Sequence, residues 1–123
     1  MESRPATLVL GASTNPDRYS HKAAMMLTEY GHPIKLVGLR ADTLLGQTIS
    51  TENVAYPDID TITVYVGERN HGAWIKTIIG SKPRRIILNP GAEGTELSRL
   101  AQEAGIEVIE ACTLVMLRTG QYD

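Results

Sequence analysis

Apolar residues fall along this chain in two alternating patterns, short unbroken blocks and longer stretches in which they recur every three or four positions. Short blocks rich in Val, Ile and Leu suit strands covered on both faces, and the wider spacing suits helices with one buried side. Strands are predicted at residues 7–10, 34–38, 61–66, 85–88 and 106–109. Helices are predicted at 21–30, 70–79 and 95–104, with a closing helical turn at 112–117.

Boundary residues sharpen these elements. Ser20, Asn70 and Thr95 stand where N-caps are expected, and Gly31, Gly80 and Gly105 where helices stop. Ala23, Ala24, Leu27 and Tyr30 share one helix face; Trp74, Ile75, Ile78 and Ile79 share a second, and Leu97, Leu100, Ala101 and Ala104 a third. Residues 43–60 have no clear period, with a short extended piece expected at 53–57, and residues 118–123 are expected to form a polar, partly mobile end. Strand and helix alternate without a linker or internal repeat. The expected fold is therefore α/β: a Rossmann-like three-layer sandwich whose parallel sheet of about five strands carries helices on both faces.

A length of 123 residues fits one domain and buries roughly two thirds of the unfolded surface. Twelve Lys and Arg against 14 Asp and Glu leave a formal charge of -2, which argues against nucleic acid or a membrane surface as a bulk-charge partner. The single cysteine, Cys112, excludes an internal disulfide and a Cys-rich metal site. No leader-like apolar run is visible, so a soluble, cytoplasmic setting is expected. His21, His32 and His71 do not stand at ligand spacing, and no metal is expected.

The candidate chemistry lies where the first strand ends. Gly11, Ala12 and Ser13 follow it, then Asn15 and Arg18, and a helix begins near Tyr19 and Ser20. A strand, a small-residue turn and a helix N-terminus form an anion-binding arrangement: the glycine permits a sharp bend, and the helix supplies free N–H groups. Neither Gly-x-Gly-x-x-Gly nor a Walker sequence is present, so the loop is non-standard. After the second strand come Leu39 and Arg40, where an enzyme preferring NAD usually carries an acidic residue. A guanidinium there suits a phosphorylated ribose, in either NADP or coenzyme A.

These residues resemble a family of small CoA-binding proteins, single Rossmann-like domains similar to the nucleotide-binding domain of the succinyl-CoA synthetase alpha subunit. The resemblance rests on Gly11-Ala12-Ser13, Asn15-Pro16, Arg18 and Ser20, on Val37 to Arg40, on Val64-Tyr65-Val66, and on Asn89-Pro90-Gly91 with the following helix and Glu103-Ala104-Gly105-Ile106. It spans nearly all of residues 1–123, and Cys112 matches a cysteine common in the family. The resemblance implies that Gly11, Ala12, Ser13 and Asn15 line a pyrophosphate loop and that Arg18 meets phosphate, with Tyr19 and Ser20 beside them. It puts Leu39 and Arg40 near the phosphorylated ribose, Tyr65 and Val66 against the adenine or the start of the pantetheine arm, and Asn89, Pro90 and Gly91 on the opposite side of the cleft. Two departures stand out: Gly67-Glu68-Arg69 lacks a proline-rich turn, and Asn89 replaces the usual Gln or Thr.

No group-transfer constellation is visible. His21 is expected to face solvent, Cys112 to be a small buried apolar group rather than a nucleophile, and Glu93 either to orient a substrate or to hold its own loop. Trp74, Met25, Met26 and Met116 read as packing. The expected function is the binding of coenzyme A or an acyl-CoA by its nucleotide end, without catalysis. The alternatives are an NADP-binding reductase, or the nucleotide domain of one, and an interaction scaffold. An exposed face of the Trp74 helix or a sheet edge offers a place for a homodimer or an unidentified protein partner.

Overall fold

β1 (Ala6–Leu10) is paired in parallel on both sides, with β2 (Ile34–Val37) on one flank and β5 (Ile59–Val64) on the other. The computed structural model describes residues 6–123. Beyond β5 follow β6 (Arg85–Leu88) and β7 (Glu107–Glu110), so the five-stranded parallel sheet runs β2-β1-β5-β6-β7. Between β2 and β5 the chain forms a small antiparallel hairpin, β3 (Thr43–Leu44) with β4 (Gln47–Thr48).

Strand residues alternate between two cores because successive side chains point to opposite faces. Leu8, Leu10, Ile62, Val64, Ile86 and Leu88 pack with Trp74, Ile78, Leu97 and Ala101. The last four come from a 3-10 stretch (Glu68–Trp74) running into α2 (Ile75–Ile78), and from α3 (Thr95–Glu103). Val9, Leu36 and Ile87 pack the other way, against Ala24 and Leu27 of α1 (Tyr19–Glu29) and Met116 and Leu117 of α4 (Thr113–Arg118). The α/β sandwich with helices on both faces is thus the observed fold.

Several boundaries differ from the sequence pattern, each for a local reason. Ser20 does not cap α1; it is buried in the first turn, and Arg18 occupies the N-cap position without a side-chain bond. Asn70 lies inside the 3-10 stretch, and Gly94, not Thr95, precedes α3. Tyr30 ends α1 largely exposed instead of completing its buried face. No strand forms at 53–57. Instead Ser50 runs beside β2, bridging Val37 and bonding Leu36 and Gly38, which covers that edge of the sheet. β5 starts at Ile59 and ends at Val64, so Tyr65 and Val66 belong to the loop.

The C-terminal end is tied down, contrary to the mobile tail expected. Tyr122 is buried, its hydroxyl meets that of Thr7, and its carbonyl accepts a hydrogen bond from Arg85 Nη2 at 2.6 Å. Among the described residues no helix is long and apolar enough to cross a membrane.

Candidate functional site

Parallel strands deliver their following loops to one edge of the sheet. The chain leaves β1 for β2 on one side and later returns to β5 on the other, so the ends of β1 and β5 mark the switch point at which open α/β sheets form a ligand crevice. The bend out of β1 depends on Gly11, whose φ of +98° lies in the region that favours glycine. A Cβ there would stand 3.3 Å from Tyr65 Cβ and 3.4 Å from Val66 Cγ1, so the two loops already touch.

The neighbouring loop is fitted as closely. A Cβ on Gly38 would meet the Ala12 carbonyl oxygen at 2.5 Å, while the N–H groups of Gly11 and Ala12 both donate to the Val37 carbonyl, at 2.8 and 3.0 Å. Further out, the Thr14 hydroxyl donates to Asp42 Oδ2 at 3.4 Å. The loop carrying Arg40 is therefore fastened to the loop carrying Ser13.

Within residues 11–18 the conformation is set by short-range bonds. Ser13 Oγ accepts from the Asn15 N–H and Asn15 Oδ1 from the Asp17 N–H, both at 3.0 Å, and the Asn15 carbonyl accepts from the Arg18 N–H at 3.1 Å. His21, expected to face solvent, turns back instead: its Nδ1–H donates to the Ser13 carbonyl at 2.9 Å. No side chain caps the N-terminus of α1, which leaves its first-turn N–H groups for an anion. Arg18 and Arg40 are exposed at the rim, as are Tyr19 and Leu39, at 66% and 74%.

On the far side of the crevice the residues divide. Tyr65 turns its ring into the core beneath α1 and α4, and Val66 into the opposite core. Burial pushes the Tyr65 phenol up to about 12, against a smaller pull from the hydroxyls of Thr63 and Thr113. What this loop offers a ligand is backbone. Asn89 is 1% exposed, its amide committed to Thr63, Val64 and Thr113, whereas Pro90 and Gly91 remain exposed. Glu93 holds its own loop, accepting from the Gly91 N–H at 2.9 Å. Cys112 is half-buried at the N-cap of α4.

The sequence reading missed His71. Its ring is buried, Nε2 lies 3.1 Å from the Val66 carbonyl, and a Cβ on Gly94 would stand 2.7 Å from the imidazole. It thus joins the loop after β5 to the start of α3. No local motif marks such a long-range fit; only the glycine ahead of Thr95 hints at it.

A polar groove of about 560 Å³ beside α3 is lined in part by Glu68, Glu93 and Glu110, whose carboxylates repel a diphosphate. Its one cation, Arg99, is paired with Glu96 and Glu103. That groove therefore does not suit an anionic ligand. Among the described residues no group of three or more His, Cys, Asp or Glu side chains is arranged to hold a metal ion.

Residues 6–118 match the family described as the CoA binding domain. The chain belongs to this family. Similarity to solved structures extends the match: a crystal structure of an uncharacterized protein is 38% identical, with a TM-score of 0.92 over 98% of this CoA-binding domain and 100% of that chain. A hypothetical protein from Pyrococcus horikoshii OT3 is 19% identical, with a TM-score of 0.85 over 94% of this chain and 83% of its own. The dinucleotide-forming acetyl-coenzyme A synthetase 1 of Ca. Korarchaeum cryptofilum, in complex with phosphate and ADP, is 20% identical, with a TM-score of 0.71 over 88% of this chain and 26% of its own. At such identity the last two show the shared fold alone. No curated protein matches.

Proposed function

We propose that this CoA-binding domain holds coenzyme A or an acyl-CoA by its nucleotide diphosphate end and performs no chemistry on it. The observation that carries the reading is the Gly11-Ala12 bend, with Gly11 against Tyr65-Val66 and Ala12 against Gly38, opening onto the uncapped start of α1. Gly11, Ala12, Ser13 and Asn15 line the diphosphate, and Arg18 supplies the counter-charge. Arg40, on a loop fastened to this one, takes the ribose 3′-phosphate. Tyr19 and Leu39 give exposed apolar surface for the adenine, and the backbone of Tyr65 and Val66 borders the start of the pantetheine arm.

Calorimetric titration with coenzyme A, dephospho-coenzyme A and NADPH tests each part. Coenzyme A is expected to bind, and loss of the 3′-phosphate to weaken binding about ten- to a hundredfold, the worth of one or two charge-assisted hydrogen bonds. No heat with coenzyme A rejects the ligand, equal affinities reject the role of Arg40, and tighter binding of NADPH favours the reductase reading.

A further inference from the structure

Asn89 closes β6 beside the proposed ligand crevice, yet its side chain is spent inside the protein. Its Nδ2 donates to Thr63 Oγ1 at 2.7 Å and to the Val64 carbonyl at 3.0 Å, and its Oδ1 accepts from the Thr113 N–H at 2.9 Å. An amide has two N–H donors and one carbonyl acceptor, and all three are engaged here. One side chain thus ties the ends of β5 and β6 to the start of α4.

The backbone of the same residue anchors a turn. The Asn89 carbonyl accepts from the Ala92 N–H at 2.8 Å, and Gly91 has a φ of +91°. Proline second and a positive-φ glycine third are the signature of a type II turn. The Gly91 carbonyl oxygen lies 3.8 Å from where a Cβ on Gly67 would stand, so the turn borders the loop that follows Tyr65 and Val66.

We infer that Asn89 is a positioning residue for the pantetheine half of the ligand, acting through the Pro90-Gly91 turn. The inference rests on the proposed binding of coenzyme A. In the sheet order, Arg40 follows β2, the Gly11 bend follows β1, and the Pro90-Gly91 turn follows β6, with one strand between the last two. Two strand spacings put that turn roughly 10 Å from the diphosphate loop, on the side away from Arg40. With the phosphorylated ribose toward Arg40 and the diphosphate at Gly11, the arm leaving the other way meets this turn. The two halves of the site then have separate supports: the loop's own bonds for the nucleotide, Asn89 for the arm.

The test compares coenzyme A with adenosine 3′,5′-bisphosphate, which lacks the arm and the outer phosphate of the diphosphate, on the wild-type protein and on Asn89→Ala and Gly91→Ala, with circular dichroism to check folding. Both variants are expected to lose tenfold or more in affinity for coenzyme A and to stay within twofold of wild type for the bisphosphate. Gly91→Ala perturbs the turn while leaving the Asn89 amide intact, and Thr63→Val, which removes one acceptor of that amide, tests Asn89 itself if Asn89→Ala does not fold. Undiminished binding of coenzyme A by Gly91→Ala, or equal losses for both ligands, overturns the inference while the ligand assignment stands. Failure of the wild type to bind coenzyme A overturns both.

Discussion

Arg85 and Tyr122 clasp each other beneath α1 and α4: the guanidinium carbon lies 4.5 Å from the centre of the Tyr122 ring, and Nη2 donates to the Tyr122 carbonyl. Arg85 Nε also donates to Thr61 Oγ1 at 2.9 Å, and the ring of His32 meets that of Tyr122 edge-on at 4.8 Å. A buried cation is thereby given an aromatic face and two oxygen acceptors. Arg85 opens β6 and its register partner Thr61 lies in the first half of β5, toward the end of the sheet opposite the crevice.

Removing that clasp should destabilise the fold without touching the ligand. Tyr122→Ala opens a cavity and strips Arg85 of its aromatic cover, and a loss of about 3 to 5 kcal/mol is expected. Urea unfolding measures it. A midpoint equal to that of the wild type refutes the clasp, and a changed affinity for coenzyme A refutes its separation from the site.

Gly38→Ala should cost affinity as well as stability. Its methyl would press on the Ala12 backbone carbonyl from 2.5 Å, so the loop after β1 must move. About 1 to 3 kcal/mol of stability is expected to go, together with tenfold or more in affinity for coenzyme A. If calorimetry finds wild-type affinity, the Ala12 region does not shape the anion site.

How legible was this in the residues? The five core strands and the main helices were, because strands buried on both faces leave uninterrupted apolar blocks such as Ile86-Ile87-Leu88. The hairpin was not, since two-residue strands are too short to show a period and its turn puts Leu45, not a glycine, at φ 54°. Caps were misread at Ser20 and Thr95 because burial and a preceding glycine, not hydroxyl bonds, set those helix starts. Arg85, Asn89, His71 and Tyr122 take their settings from partners distant in sequence, and no local pattern encodes them. The strand–bend–helix geometry at Gly11 was visible because its logic is local: a bend, small residues and a helix.

Asp60 and Arg84 give an acid-side prediction. Arg84 Nε and Nη2 meet the two carboxylate oxygens at 3.0 and 3.1 Å, and the Arg84 hydrogen bond holds the Asp60 carboxyl below its usual range. A carboxyl lowered in the folded state adds stability that is present above about pH 4 and fades as pH falls through its folded value. Arg84 is largely exposed and Asp60 only half-buried, so Arg84→Ala should cost no more than about 1 kcal/mol at neutral pH. The variant should also lose stability less steeply than wild type below pH 4 in parallel melting curves; identical acid limbs refute the coupling.

Tyr65 gives the alkaline counterpart. Its hydroxyl is buried and meets neither Thr63 nor Thr113 with hydrogen-bond geometry, while those two bond each other at 2.8 Å. A buried hydroxyl without a bond brings a desolvation cost and no return, so Tyr65→Phe should leave stability unchanged or raise it by up to about 1 kcal/mol. Because the folded state holds its proton up to about 12, stability linked to this phenol is intact below pH ~10 and lost as pH climbs through 12. The Phe variant should therefore show a shallower alkaline limb, and its phenolate absorbance should lack one late-titrating group. A destabilised Phe variant, or an unchanged late absorbance step, would mean that the hydroxyl has a partner or a different titration range.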